Sequence, residues 1–588
     1  MAHFMFLLAA AGGLLVLFAL AGAALASPLP SARSWAARIG IGASLFIFLS
    51  VFPHFFINGF TVTLGAFLLV ALAGLRWVSF KPPLRFSARL FWCLALANLL
   101  LLAFSAAHNN GLGDHDPYEH AMGISYIYET GSIFPGADDR AVFGTLDPYP
   151  PGYDAAAATV AKFFGSVADG IRIWSIVAAA LFPLAVRFFA RSLGLSGAVA
   201  NLAGAFVLLL PPAPTHFAWT HTLALSLGFF AAGALMQTVR NTKWTPATAV
   251  SLAAFGLTAT SEIIYSLPLF FAVMSIAVHR RKLAAPVAAV AVSLLLFSGW
   301  GIHLFNYNDG GVRAITFSGF NIQRTHYDAL REARPWYREH RGNARPYAAW
   351  EFLAPPWINY FNIPVGFPAA LFIPSLWGFW LLWRRGIFWP AACFVFYLLM
   401  AQGELLPVEF FPHRAWSYLA LLVAFGAAYT AWRYRGRTPH VLLTAIFALS
   451  IGHAVAVRGR IELAAWGNEV FSFQGEKDAY YSLPDILKNQ KTYPVAGGTR
   501  FGYIPAFGGR TTFWKPAEKN AQSLFMLKND AAAVAALEGA DYRHIVIDSE
   551  ADLTLGAGSS ERIFASLASN SNWRLVNRAD GFALFSRK

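Results

Sequence analysis

Apolar runs close to the length of a membrane span recur from residue 4 to about residue 457, and they leave this chain few folds to choose from. In hydrocarbon every backbone N–H and C=O must find a partner within the protein, so runs of about 20 apolar residues read as membrane helices. The composition agrees: of 588 residues 57% are hydrophobic and only 13% charged, about half the charged share of an ordinary soluble domain. The spacing predicts about fourteen helices, near residues 4–26, 36–54, 58–76, 88–107, 168–189, 196–213, 217–238, 246–260, 262–279, 284–304, 364–383, 387–402, 415–432 and 439–457. The pair around residue 261 reads equally as one broken helix or two. The first run, FMFLLAAAGGLLVLFALAGAALAS, has no basic residue before it and exceeds 20 residues, which favours a retained helix over a signal peptide. The two cysteines, Cys93 and Cys393, lie in separate apolar runs and suggest neither a disulfide framework nor a metal cluster.

Charge sets the orientation. Arg33, Arg76 with Lys81 and Arg85, Arg187 with Arg191, Arg240 with Lys243, Arg280 with Arg281 and Lys282, Arg384 with Arg385, and Arg433 with Arg435 and Arg437 fall in short loops on one side of a fourteen-helix arrangement. The positive-inside rule makes that side cytoplasmic. It also accounts for much of the net charge of +14, so nucleic acid is not an expected partner. Residues 108–167, residues 305–363 and the tail then lie on the periplasmic or extracellular face of an inner or plasma membrane. The expected organisation is a three-helix segment over 1–87, a membrane core over 88–457 carrying the two long outer loops, and an extracytoplasmic α/β domain over 458–588. In that last domain YRHIVIDS reads as a strand, ERIFASLASN as a short helix and WRLVNRADGFALFSRK as a hairpin turning at Asp580-Gly581.

The outer segments hold the chemistry. GDHDPYEH gathers Asp114, Asp116, Glu119 and His120 directly after the apolar run that ends near residue 107. Asp116, Pro117 and Glu119 match a helix start, with the aspartate as N-cap and proline at the first helical position. His120 falls one turn later, so Asp116, His120 and Glu119, with His216 from PPAPTHFAWTH, form a candidate ligand set for Mg²⁺, Mn²⁺ or Zn²⁺. A carboxylate of this cluster suits general-base work toward a hydroxyl equally well. LDPYPPGYD follows; its prolines fix an extended turn that places Tyr149 as a candidate wall of a site. His221 ends the same turn as His216. Glu262 stands among apolar residues, where an ionisable side chain lines a polar cavity, binds a ligand or pairs internally. Arg414, beside His413, begins a helix at the outer surface, where a guanidinium either anchors the helix or grips a lipid phosphate with its fork of donors. Seven further arginines lie between residues 305 and 351, Arg324 and Arg331 among them, on the side where basic residues are unusual. Residues 325–341 have the pattern of an amphipathic element above such a site.

An Asp-x-Asp-like element opening the first long outer loop, a helix lying along the membrane and then YPPG, all set among many apolar runs, resemble the GT-C superfamily of polyprenyl-phosphate-dependent glycosyltransferases. The resemblance covers residues 88–460 and the outer tail. It implies a GT-C-like fold and a transferase of cell-envelope type, with Asp114 or Asp116 catalytic and Arg414 at the donor phosphate. The implied partners are membrane lipids, a polyprenyl-phosphate-linked sugar donor and an acceptor hydroxyl on a glycan, lipid or protein. Two features depart from the family: three helices precede the one leading into the acidic loop, and the WWDYG acceptor motif of oligosaccharyltransferases is missing, which argues against asparagine glycosylation. A flippase of lipid-linked saccharides fits the helix number but not the concentration of chemistry on one side, and no paired halves suggest inverted repeats. A non-catalytic scaffold whose outer loops hold partner proteins is a third class.

Overall fold

The computed structural model describes residues 1–27, 34–57, 59–77, 86–108, 115–134, 149–210, 214–307 apart from 216, 366–401, 412–434, 474–487, 492–494 and 543–588 apart from 550 and 553–556, with isolated positions at 29 and between 449 and 462. The helices run α1 (Ala2–Ala26), α2 (Trp35–Val51), α3 (Phe60–Gly74), α4 (Phe86–His108), α5 (His115–Thr130), α6 (Gly152–Phe164), α7 (Val167–Ser192), α8 (Gly197–Val207), α9 (Thr220–Arg240), α10 (Thr245–Gly256), α11 (Thr260–His279), α12 (Ala284–Tyr307), α13 (Ala369–Trp383), α14 (Trp389–Ala401), α15 (Pro412–Tyr434) and α16 (Gln474–Leu487). Thirteen of the expected spans are helices at close to their predicted positions, and the one over 439–457 falls mostly outside the described residues.

Their lengths correct the count of fourteen. Among the described residues nine helices are long and apolar enough to cross a membrane. Helices α8, α10, α13 and α14 have 11, 12, 15 and 13 residues, or roughly 16–23 Å at 1.5 Å per residue, against a hydrocarbon core of about 30 Å. A helix that starts or stops part-way through the membrane has the composition of a span, so apolar runs overcount. The region around residue 261 is two helices: α10 ends at Gly256, and α11 begins at Thr260 after an Ala259 N-cap.

Contacts divide the chain into two units, residues 1–108, 150–156 and 173–464 in the first, and 109–149, 157–172 and 465–588 in the second. The first is a helical bundle in which α9 and most of α7 are wholly interior, whereas α3, α11 and α12 turn about two thirds or more of their surface outward. Packing against lipid gains little from the hydrophobic effect, so close backbone approach at small residues takes its place. Gly22 of α1 lies on the backbone of Arg38, Gly42 of α2 on that of Phe18, and Gly378 and Gly426 seat α13 directly on α15. At the Arg240 end of α9, Arg191 and Arg280 come near enough for their charges to oppose it. Three of the seven basic loops that the sequence assigns to one face therefore come together at this end of α9.

In the second unit α5 buries His120, Ile124 and Ile127 along one helical face, and Lys162 of α6 sits 3.9 Å above the Tyr128 ring. The tail forms a four-stranded sheet ordered β1-β2-β4-β3, from β1 (Thr492–Pro494), β2 (His544–Asp548), β3 (Trp573–Ala579) and β4 (Phe582–Arg587), with α17 (Ser559–Ser569) against it. β1 pairs parallel with β2, and the others pair antiparallel. The predicted strand, short helix and hairpin are all present, and the hairpin turns where Gly581 takes φ 73°, a left-handed conformation that glycine adopts without strain. Glu476 of α16 accepts from the Ser549 amide and hydroxyl at 2.9 Å each, closing the end of β2.

Candidate functional site

The starts of three helices meet around Glu262. It is the third residue of α11 and fully buried. His221, the second residue of α9, approaches Glu262 Oε1 through Nδ1 at 2.6 Å, and Arg414 in the first turn of α15 places Nη1 3.4 Å from the same oxygen. The Tyr418 hydroxyl donates to Oε2 at 3.0 Å. That spends its one proton, so at 2.8 Å the Ser266 hydroxyl is the donor to Tyr418. Tyr418 is held flat between Tyr265 and Tyr397, with ring centroids 6.3 and 4.9 Å away.

Two helical pairs four residues apart build this network: Glu262 and Ser266 on α11, Arg414 and Tyr418 on α15. Such spacing puts both members on one face, and the two faces meet. A carboxylate in the apolar interior carries a desolvation penalty of several kcal/mol, which a lone partner seldom offsets. Here one guanidinium, one imidazole and one phenol share it. A carboxylate only accepts, so His221 Nδ1 carries the proton in this contact and Nε2 faces away from Glu262. Nε2 is buried and has no hydrogen-bond partner among the described residues. Neither α9, with Trp219 at its N-cap, nor α11, with Ala259, has a side-chain cap. Their first N–H groups leave a partial positive charge beside Arg414. The cluster therefore suits an anion arriving at the ends of these helices.

The YPPG segment docks at the same break. The Gly152 amide donates to the Leu257 carbonyl at 2.7 Å, and any side chain at 152 would run into Leu257 O and Thr258 Oγ1. Glycine is thus required where α6 begins against the turn that leads into Glu262. Tyr153, next in line, meets Ser175 hydroxyl to hydroxyl at 3.1 Å.

Glu262 and Arg414, two expected site residues, are brought together, and Glu262 is paired internally. His120 is buried in α5 with its ring edge-on to Tyr149, centroids 5.9 Å apart. α5 begins at His115, two residues earlier than an Asp116 cap with Pro117 at the first helical position predicts, which puts position 116 in its first turn. The side chains of Asp116, Glu119 and His413 lie outside the described residues, as do Asp114, His216, Arg324, Arg331 and the whole of 325–341. Among the described residues no three His, Cys, Asp or Glu side chains converge as metal ligands would, and of the expected ligand set only the His120 side chain is described. Tyr418 and Ser266 were not singled out in the sequence. Their signal was a polar residue one turn after each charged one in an apolar run.

No family model matches the chain, and no curated protein matches it in sequence. Its fold is similar to that of ArnT from Cupriavidus metallidurans solved bound to undecaprenyl phosphate, with a TM-score of 0.52 and 12% identity over 85% of this chain and 97% of that one. The apo state of the same protein gives a TM-score of 0.50 at the same identity and coverage. An oligosaccharyltransferase from Archaeoglobus fulgidus reaches 0.48 over 86% of this chain and 74% of that one, also at 12% identity. The chain has a GT-C-like fold.

Proposed function

We propose that this chain is an inverting glycosyltransferase that moves a sugar from a polyprenyl-phosphate-linked donor to a hydroxyl of a glycan, lipid or protein on the outer face of the membrane. The observation that carries this reading is the buried Glu262 holding Arg414 and His221 at the starts of three helices. It is strengthened by a fold like that of a protein solved with undecaprenyl phosphate. A polyprenyl chain belongs in lipid and its phosphate at the surface, the level at which a membrane helix begins. Arg414 there presents a planar fork of donors, and His221, its Nδ1 turned to Glu262, presents Nε2 to the phosphate. His413, Arg324, Arg331 and Tyr149 are assigned to the same donor.

In the reaction the acceptor oxygen attacks the anomeric carbon, its proton passes to Asp114 or Asp116, and the bond from that carbon to the phosphate oxygen breaks. The departing lipid phosphate takes the electron pair, and Arg414 offsets its charge. A divalent cation, if held by Asp116, Glu119, His120 and His216, would add Lewis-acid stabilisation of that leaving group.

Purified protein supplied with a polyprenyl-phosphate-linked sugar and lipid or glycan acceptors is expected to release polyprenyl phosphate and form a glycoside of inverted anomeric configuration. Loss of turnover in EDTA, restored by one of the three cations, supports the ligand set; full activity in EDTA removes it. Movement of the intact donor across a vesicle membrane without glycosidic cleavage would replace this reading with that of a flippase.

A further inference from the structure

Along α11, from Ile264 near the Glu262 end to Arg280 at the opposite end, runs a cleft whose cationic mouth the transfer reaction does not use. This apolar cleft of about 1050 Å³ runs between α11 and α14, with Ile264, Phe271 and Ile276 on one wall and Ile387, Trp389 and Phe396 on the other. His279 and Arg280 close it at the C-terminal end of α11, and Leu193 lines it beside them. There the Arg191 guanidinium donates to the Leu195 carbonyl at 2.7 Å, and that of Arg240 lies against Gly194. Arg191, Arg240 and Arg280 thus converge from three helix ends, with Arg191 and Arg280 each close enough to Arg240 for their charges to oppose it. The ion pairs among the described residues involve other groups, so these three cations share no carboxylate there.

The positive-inside rule explains why basic residues sit on this side. It does not explain why Arg280 lines the mouth of an apolar cleft with Arg191 and Arg240 gathered beside it, none of them paired with a carboxylate among the described residues. Basic pockets between membrane helices on the cytoplasmic side are suited to anionic lipid headgroups. We infer that this cleft binds an anionic glycerophospholipid of the cytoplasmic leaflet, its acyl chains between α11 and α14 and its phosphate among Arg191, Arg240 and Arg280. A polyprenyl phosphate held at Arg414 does not fill this role. Residue 280 lies eighteen residues beyond Glu262 along α11, about 27 Å at 1.5 Å per residue, which places the two cationic clusters in opposite leaflets.

The test offers phosphatidylglycerol and phosphatidylcholine with matched acyl chains to purified full-length protein in detergent, with bound lipid counted by native mass spectrometry. Wild type is expected to retain phosphatidylglycerol at least about tenfold over phosphatidylcholine, from the contribution of several basic residues near one headgroup. The triple variant Arg191→Gln, Arg240→Gln, Arg280→Gln is expected to lose the preference. Ala272→Trp, which narrows the cleft without altering charge, is expected to lower retention of both lipids. If the triple variant does not fold, Arg280→Gln alone serves, with the preference reduced at least about threefold. Equal retention of the two lipids by wild type, or a preference that survives loss of the arginines, overturns the inference. So does displacement of phosphatidylglycerol by equimolar polyprenyl phosphate, which would make the cleft part of the donor site.

Discussion

Replacing Glu262 by alanine is expected to destabilise the protein by about 3–5 kcal/mol, the cost of removing one partner from a buried ion pair. The carboxylate is fully buried and receives Arg414, His221 and Tyr418 together. Without it a guanidinium that is only 18% exposed loses the buried carboxylate it faces. Glu262→Gln keeps an acceptor for Tyr418 but not the charge, so an intermediate loss is expected. The double variant Glu262→Leu, Arg414→Met removes both charges and should lose less than Glu262→Ala alone, because an apolar pair in place of a buried ion pair is close to neutral. Denaturant unfolding of the four purified proteins measures this. If Glu262→Ala unfolds at the wild-type midpoint, the carboxylate does not hold the cluster together.

That prediction rests on a residue the sequence itself made conspicuous, since an ionisable group among apolar residues is rarely idle. Arg414 was conspicuous for a similar reason, as a cation at the outer start of a helix. Their partnership was not legible. They lie 152 positions apart, and nothing local indicates that α11 and α15 face one another. Tyr418 and Ser266 pass unnoticed because tyrosine near a helix end and serine within one are common in membrane helices. Of the two histidines in the turn before α9, His221 proved to be the one inside the first turn of the helix, a boundary that composition fixes only to within a few residues.

Helix positions were legible because the apolar runs are long and the bundle has few alternatives. Helix lengths were less so. LAAFGLTATSEII is apolar on both sides of the break, and only the geometry shows the chain leaving α10 at Gly256 and re-entering at Thr260. In the tail, the short apolar run of β2 and the Asp580-Gly581 turn were sufficient, whereas the parallel pairing of β1 with β2 joins segments about fifty residues apart and has no local signature.

The second large effect concerns the acidic loop. Either Asp114→Asn or Asp116→Asn is expected to lower the rate of sugar transfer by at least about 10²-fold, the lower range for loss of a general base, while the protein stays folded. Asparagine preserves size and a hydrogen-bonding oxygen and removes the basic carboxylate. Turnover under donor saturation, set beside the unfolding midpoint, separates chemistry from structure. If Asp116→Asn alone slows the reaction and also lowers the midpoint, the aspartate stabilises the start of α5 and the catalytic assignment fails there. If neither variant changes turnover, the base lies elsewhere.

The central claim is that Arg414, held by Glu262, grips the phosphate of a polyprenyl lipid. Its most direct test is the binding of a polyprenyl phosphate and of the matching uncharged polyprenol to wild type, Arg414→Ala and Arg414→Lys. Alanine is expected to weaken the phosphate lipid by about 1.5–3 kcal/mol, as for a hydrogen bond to a charged group, and to leave the polyprenol unchanged. Lysine should restore only part of the loss, because it keeps the charge without the fork of donors. Equal losses for the two lipids, or full recovery with lysine, would contradict the claim and reduce Arg414 to an anchor for the start of its helix.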